Sequence, residues 1–256
     1  MGILNVTTDS FFDGGRYIFD DDILVRAETI LQEGADIIDI GAMSTRPNAI
    51  EIPENEEIDK IYHTVSLIRS SFPDAVISVD TYRSTVAEIA IKTGADMIND
   101  ISGGTFDNEM IPVIGKLQVP YCLMHTTAKP KTMQQNTTYD DILADIIKFF
   151  GNQIAKLHEH NVHDIIIDPG FGFGKTMEQN YFLMKNLETF HHLNLPILVG
   201  ISRKSMIYKL LDTDPMHSLN GTSILNTIAL LKGASILRVH DVKEAVEVRK
   251  IAQQIL

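Results

Sequence analysis

The sequence predicts a single (β/α)8 TIM barrel, an α/β fold, and three observations support this. Short apolar runs alternate with longer amphipathic stretches along the chain, which is the pattern of parallel βα units. Eight such runs occur in 256 residues, a usual length for an eight-unit barrel. A Gly-Ala pair precedes three of the runs, as expected where a helix-ending glycine leads into a strand. We therefore expect one barrel domain over residues 1–256, in preference to an open doubly wound sheet.

The predicted strands are short and rich in branched aliphatic residues. In chain order they cover residues 2–6, 37–40, 76–79, 97–98, 121–124, 165–167, 197–199 and 236–239. The sixth, three isoleucines ahead of a Pro-Gly break, is typical of a strand buried on both faces. Helical patterns between the strands cover residues 21–33, 56–70, 84–93, 140–160 and 218–232. The Gly-Ala repeat places helix-ending glycines at Gly34, Gly94 and Gly233.

Composition and charge narrow the class of protein. The formal net charge of −12 argues against a general nucleic-acid binder, which would need a basic surface. A water-soluble protein is expected, because no apolar run has the length of a membrane span, and the first residues lack the basic segment of an export signal. Cys122 is the one cysteine, so a disulfide framework is excluded and a reducing, cytoplasmic location is expected.

Polar residues follow the apolar runs at the positions where the strands should end. They include Asn5, Asp80, Asn99, Asp100, His125, Asp168, Arg238 and His240, with a polar segment at 202–205. In a barrel these strand ends converge on one face, where active sites are built. Isolated capping residues are the alternative interpretation, but they would explain one or two such positions better than the whole series.

The segment 165–175 is the most informative of these. Asp168 ends a buried strand, and the glycines at 170, 172 and 174 would let backbone approach a ligand closely, which predicts the floor of a site. A capping aspartate followed by a flexible loop is the alternative. The Gly-Lys-Thr sequence at 174–176 does not make a P-loop, because three residues instead of four separate its glycine from Gly170.

Taken together, these motifs resemble the dihydropteroate synthase family from end to end. The matching segments are 2–7, 9–11, 44–47 (Ser-Thr-Arg-Pro), 78–82, 98–100, 165–175, 202–205 (Ser-Arg-Lys-Ser) and 238–240 (Arg-Val-His). The resemblance implies a transferase of folate biosynthesis that condenses 6-hydroxymethyl-7,8-dihydropterin diphosphate with p-aminobenzoate, giving 7,8-dihydropteroate and pyrophosphate. It also implies a homodimer, and an enzyme of the kind that sulfonamides target.

The resemblance assigns the pterin pocket to Asp80, Asn99, Asp168, Lys204 and Arg238. The chemistry agrees, because a carboxylate at Asp168 can accept paired hydrogen bonds from the amino-pyrimidinone edge of a pterin. An ion pair between Asp168 and Lys204 with a purely structural role is the alternative for those two residues.

For the diphosphate, the resemblance implies Asn5, Thr45, Arg46, Arg238 and His240, with Mg²⁺ between the phosphates and Asn5. Oxygen ligands and retained waters suit magnesium. Arg238 and His240 are two residues apart on a predicted strand, so they share a face. On their own they could equally be a solvated strand end.

For p-aminobenzoate, the resemblance implies Phe11, Arg46, Pro47, Lys204 and Ser205, the last near a helix start. The implied reaction begins with loss of pyrophosphate from the pterin methylene, after which the neutral arylamine attacks. The residues implied to act in catalysis are Asp80, Asp168, Lys204, Arg238 and His240. They would stabilise the leaving group and the developing positive charge, so a strong general base is not required.

Departures from the family pattern lie at Thr8, Phe12, Ala42 and Met43 and in the segment 125–130. Several border the arylamine loops, which suggests altered handling of p-aminobenzoate or sulfonamides; neutral drift is the alternative. Two other functions stay open, a barrel methyltransferase that binds methyltetrahydrofolate and a pterin-binding protein without turnover. The Ser-Arg-Lys-Ser and Ser-Thr-Arg-Pro motifs favour the synthase over the methyltransferase.

Overall fold

A computed structural model describes residues 1–6, 20–43 and 51–256, and each of the eight predicted strands is present in it. They are β1 Gly2–Asn5, β2 Ile37–Gly41, β3 Val76–Asp80, β4 Met97–Asp100, β5 Tyr121–Met124, β6 Ile165–Asp168, β7 Leu198–Val199 and β8 Ile236–Leu237. The last two are shorter than predicted. Strands β1 to β6 form one parallel sheet in sequence order, and β7 pairs in parallel with β8.

Two single bridges join these sheets into a closed barrel. Ile167 of β6 bridges to Ile197, just ahead of β7, and Gly2 of β1 bridges to Val239, just after β8. At the second junction the Ile3 amide donates to the Val239 carbonyl at 2.9 Å, and the Val239 amide donates to the Met1 carbonyl at 3.0 Å. The backbone of the first strand is thereby paired on both sides, and the predicted (β/α)8 barrel is confirmed.

Helices connect the strands and cover the outside of the barrel. Those in the described part of the chain are α1 Asp20–Gln32, α2 Glu54–Ser71, α3 Ser84–Thr93, α4 Met110–Leu117, α5 Ile142–Glu159, α6 Met177–Lys185, α7 Ser205–Tyr208, α8 Leu219–Leu231 and α9 Val242–Ala252. The predicted helices correspond to α1, α2, α3, α5 and α8 within two residues at each end. None of the helices described is long and apolar enough to cross a membrane.

The barrel has an outer and an inner core. The outer core lies between strands and helices and includes Ile38 and Val79 from the strands and Ile61 and Phe150 from the helices. The inner core fills one end of the barrel with Met1, Met97, Cys122 and Leu198, against which Ile37, Ile166 and Ile236 pack. Residues two apart on a strand share a face, so Asp39, Asn99, Asp168 and Arg238 form a polar layer above the inner core.

The predicted helix-ending glycines all have positive φ, at 96° for Gly34, 117° for Gly94 and 84° for Gly233. Gly94 is the left-handed C-cap of α3, and its carbonyl accepts from the Arg69 guanidinium at 2.9 and 2.7 Å. A Cβ at position 94 would lie 3.2 Å from Arg69 Cγ. The conformation and the crowding both favour glycine here.

A Gly94→Ala variant should therefore be destabilised by about 1–2 kcal/mol, the usual cost of a left-handed conformation for an L-residue. The matched control is Gly151→Ala within α5, where an added Cβ meets nothing within 4 Å. That change should stabilise by up to ~1 kcal/mol, because alanine is the better helix former. The unfolding temperature should fall in Gly94→Ala and rise in Gly151→Ala. Equal shifts in the two variants would contradict the assignment of Gly94 as a cap.

Candidate active site

The carboxyl ends of the strands carry a connected set of buried polar side chains. Asp39 of β2 is fully buried, and its carboxylate accepts hydrogen bonds from Ser78 Oγ at 2.6 Å and Asn99 Nδ2 at 3.1 Å. A carboxylate accepts and does not donate, so Asp39 fixes the orientation of the Asn99 amide. The nitrogen faces Asp39, and the other amide atom, Oδ1, has the role of an acceptor.

Arg238, immediately after β8, joins this layer to β3. Its Nε donates to Asp39 Oδ2 at 2.6 Å and its Nη2 donates to Asp80 Oδ2 at 2.7 Å. Burial raises the pKa of Asp80 to about 7, with Arg238 acting in the opposite direction. Burial alone would lower the pKa of Arg238, but the two carboxylates raise it. The arginine is a fixed counter-ion for both acids, so the interpretation of this segment as a solvated strand end is wrong.

Asp168 ends β6, and its geometry is set by the loop that follows. Its Oδ1 accepts from the Gly170 amide at 2.7 Å, and its own carbonyl accepts from the His125 amide at 3.0 Å. Gly170 has φ of +74°, and a Cβ there would lie 1.9 Å from the His125 carbonyl oxygen, so only glycine fits. Burial raises the pKa of Asp168, while the positive charge of Lys204 lowers it.

Lys204 approaches the same loop from the other side. Its Nζ donates to the Phe171 carbonyl at 2.6 Å and lies 4.6 Å above the centre of the Phe173 ring. Burial lowers the pKa of Lys204 to about 8, although the charge of Asp168 acts to raise it. The charges of Asp168 and Lys204 interact with each other, so a structural role for this pair stays an alternative.

Asp168 and Arg238 both lie close to Gly200, which follows β7. A Cβ at position 200 would lie 3.8 Å from Arg238 Cβ and 4.0 Å from Asp168 Oδ2. The glycine keeps side-chain volume out of the space between them. Opposite charges at two different strand ends therefore border one space, a suitable place for a polar heterocycle.

His240 lies two residues after Arg238 and is held by the segment after β7. Its Nδ1 lies 3.0 Å from Ser202 Oγ, its amide donates to the same hydroxyl at 3.2 Å, and its carbonyl accepts from Arg26 at 2.9 Å. Arg203, with φ of +56°, pairs with both oxygens of Asp241 at 2.9 and 2.5 Å. These contacts fix the His240 ring at the rim of the barrel.

Comparisons with known proteins agree with this geometry. The chain matches the family described as pterin binding enzyme over residues 1–240. It is 43% identical over 258 residues to the dihydropteroate synthase of Escherichia coli (strain K12), covering all of this chain and 91% of that one. The chain belongs to the dihydropteroate synthase family of pterin-binding enzymes. The prediction of a transferase of folate biosynthesis is thereby confirmed.

Solved structures of the family have the same fold. The Yersinia pestis dihydropteroate synthase, solved as a sulfonamide drug complex, superposes with a TM-score of 0.94 at 42% identity, covering 99% of this chain and 92% of that one. The Thermus thermophilus enzyme, solved in complex with 4-aminobenzoate, gives a TM-score of 0.89 at 34% identity, covering all of this chain and 93% of that one. The similarity extends over the whole barrel.

The structure brings most of the family's expected site residues together. Asn5, Asp80, Asn99, Asp168, Lys204, Arg238 and His240 all lie at strand ends or just after them. Ser205 begins α7, as predicted. Phe11, Thr45, Arg46 and Pro47 lie outside the described residues, as do the departures Thr8 and Phe12. Of the other departures, Ala42 and Met43 are buried behind the site.

The residues at the end of β1 fit a magnesium ion of the kind the family implies. Asn5 is partly exposed, and a Cβ at the neighbouring Gly41 would lie 3.4 Å from Asn5 Oδ1 and 3.9 Å from Asp80 Oδ2. The glycine leaves space beside a hard oxygen donor. In the described part of the chain no three His, Cys, Asp or Glu residues group as metal ligands.

Two residues in and below this site, Asp39 and Lys175, were not predicted from the sequence. Asp39 interrupts the apolar run of β2, and an acid at such a position signals a buried partner, which is Arg238. Lys175 belongs to the matching segment 165–175, but the sequence gives it no role beyond a rejected P-loop. It is fully buried below the loop after Asp168, where burial lowers its pKa to about 7.

Proposed function

We propose that this chain condenses 6-hydroxymethyl-7,8-dihydropterin diphosphate with p-aminobenzoate at the strand-end face, releasing pyrophosphate. The observation that carries the proposal is the polar layer of Asp39, Asn99, Asp168 and Arg238, buried in a barrel of this family. Buried polar groups of this kind are costly unless a ligand or partner satisfies them. A flat heterocycle with both donors and acceptors along one edge suits them.

In this proposal the pterin lies between Asp168 and Asn99. The carboxylate of Asp168 accepts from the amino-pyrimidinone edge, and Asn99 Oδ1, oriented by Asp39, accepts from a ring N–H. Lys204, above Phe173, donates to a ring oxygen or nitrogen from the opposite side. This division of donors and acceptors supports a pterin over an apolar ligand.

The diphosphate is proposed to lie at the rim, near Asn5, Arg238 and His240, with Thr45 and Arg46 added by the family resemblance. Magnesium, when bound, would offset the negative charge of the leaving pyrophosphate, and Asn5 is the described residue placed to hold it. Arg238 is already paired with Asp39 and Asp80. It would therefore stabilise the leaving group as a positive charge held in a fixed position before the reaction begins.

Loss of pyrophosphate leaves positive charge on the pterin methylene and ring. Asp80 and Asp168 are buried acids at the strand-end face and are proposed to stabilise this charge, because an ionised carboxylate in a site with little water does so strongly. The arylamine then attacks the methylene. Its carboxylate is proposed to meet Ser205 and Lys204, with Phe11, Arg46 and Pro47 from the family resemblance.

The activity is tested by pyrophosphate release from the pterin diphosphate with Mg²⁺, with and without p-aminobenzoate. Wild-type release should depend on p-aminobenzoate. Lys204→Ala removes the hydrogen bond to the Phe171 carbonyl and the contact with Phe173, and should lower kcat/KM by about 10²-fold or more. Lys209→Ala, five residues away and exposed, is the matched control and should behave as the wild type. Pterin binding without pyrophosphate release would favour a non-catalytic pterin-binding protein.

We also propose a cytoplasmic homodimer. The support for a dimer is a group of exposed apolar side chains on and around α7 and α8, namely Leu210, Leu211, Met216 and Ile224. The support for the cytoplasm is the buried, free thiol of Cys122, which is typical of proteins in a reducing compartment.

A further inference from the structure

Lys175 is a buried cation that the proposed reaction does not use. Its side chain is 3% exposed, and it lies below the loop that connects β6 to α6. The Nζ atom donates to the Gly170 carbonyl at 3.0 Å and to the Phe173 carbonyl at 2.9 Å, and it lies 3.0 Å from His125 Nδ1. A lysine with this burial needs a partner for each of its N–H groups.

The surroundings of the Lys175 ammonium group consist of hydrogen-bond acceptors. Lys175 offers three N–H donors, and the acceptors around it are the carbonyls of Gly170 and Phe173, the Nδ1 atom of His125 and, at 3.4 Å, the His125 carbonyl. Since Lys175 can only donate when charged, His125 Nδ1 accepts and the ring carries its proton on Nε2. Burial and the charge of Lys175 both hold His125 neutral, with a pKa lowered to about 2.

The loop around Lys175 is the one that carries the pterin-binding groups. Gly170, whose carbonyl faces Lys175, donates its amide to Asp168 Oδ1. Phe173, the other carbonyl partner, presents its ring to Lys204. Between them the Phe171 carbonyl points the other way and accepts from Lys204. The loop is therefore held between two ammonium groups, Lys175 on the inside and Lys204 on the side of the site.

We propose that Lys175 is a positioning residue for pterin binding, an internal cation around which segment 170–174 folds so that Asp168, Phe173 and Lys204 keep their binding geometry. The inference rests on the proposed function. Removing the Lys175 ammonium group leaves the inward-facing carbonyls of Gly170 and Phe173 without a donor, and the loop relieves this by turning them towards water. That movement takes the Gly170 amide away from Asp168 and Phe173 away from Lys204.

The first test is Lys175→Ala, with Lys185→Ala at the exposed end of α6 as the control. Binding of 6-hydroxymethylpterin is followed by fluorescence titration. The dissociation constant should rise at least tenfold in Lys175→Ala and stay at the wild-type value in the control. Adding n-propylammonium, which can fill the space left by the side chain, should restore most of the affinity, whereas n-propanol should not.

A purely structural role would give a different pattern. Lys175→Ala would then unfold at a lower temperature, but its folded fraction would bind the pterin as the wild type does, and that result would overturn the proposal. If Lys175→Ala does not fold, Lys175→Met serves instead, because its unbranched side chain fills similar space without an N–H donor; wild-type pterin affinity in that variant would equally count against the inference. Wild-type pyrophosphate release is measured separately, so failure of the proposed function is distinguishable from failure of this inference.

Discussion

Replacing Asp168 with asparagine should weaken pterin binding by about 10²-fold or more while leaving the barrel folded. The change is nearly isosteric, but it replaces an acceptor oxygen with an N–H2 group that faces the donors of the pterin edge. Sites built to hydrogen-bond a ligand lose affinity steeply when one partner becomes mismatched, because the buried groups remain unpaired. Since Asp168 is buried and its pKa is raised by burial, loss of its charge is not a large cost to stability.

The measurement is calorimetric titration of Asp168→Asn with a pterin, together with thermal unfolding. Asp164→Asn, an exposed position just ahead of the same strand, is the control and should bind normally. Unchanged pterin affinity in Asp168→Asn would place the ligand elsewhere on the strand-end face. A large fall in unfolding temperature with normal affinity would mean that Asp168 holds the loop and not the ligand.

The sequence was sufficient for the barrel because its strands are buried on both faces. Runs such as the isoleucines of β6 and the residues 121–124 of β5 leave little choice of secondary structure, and the glycines after α1, α3 and α8 mark where each helix stops. In the structure, strands β7 and β8 are shorter than predicted. They carry few ladder hydrogen bonds, and β7 is joined to β6 by a single bridge.

The site residues that belong to sequence motifs could be predicted. Those whose role depends on a partner distant in the sequence could not. Asp80, Asn99 and Asp168 are visible because they end apolar runs. Asp39 lies inside such a run, and its role depends on Arg238, which is 199 residues away in sequence. In the sequence Lys175 belongs to a Gly-Lys-Thr run that does not fit a P-loop. Only the structure shows that the loop folds around its side chain. Partners distant in sequence leave no periodic signal, so only the structure identifies them.

Removing Arg238 should have the largest effect on stability. Arg238→Met leaves Asp39 and Asp80 buried without their counter-ion, and breaking a buried pair on one side typically costs about 3–5 kcal/mol. Arg249→Met is the control, because the ion pair of Arg249 with Asp36 lies on the surface, where such pairs contribute ~0–1 kcal/mol. Chemical denaturation gives the free energy of unfolding of both variants. A similar small loss of stability in the two would contradict a buried network around Arg238.

The pH dependence of the unfolding free energy tests why Arg238→Met is less stable than the wild type. The pKa of Asp80 is about 7 although Arg238 lowers it, so removing Arg238 raises it further. As the pH rises from 7 to 9, Asp80 loses its proton in the folded wild type, whereas folded Arg238→Met keeps a proton that its unfolded state does not bind. Stability falls with rising pH wherever the native state binds more protons, so the deficit of the variant should grow across this window.

Adding Asp80→Asn to Arg238→Met removes the group that titrates, and the double variant should lose this slope and recover part of the stability. A slope as steep in the double variant as in Arg238→Met would show that Asp80 is not the group that titrates, and the counter-ion role of Arg238 towards Asp80 would then be wrong.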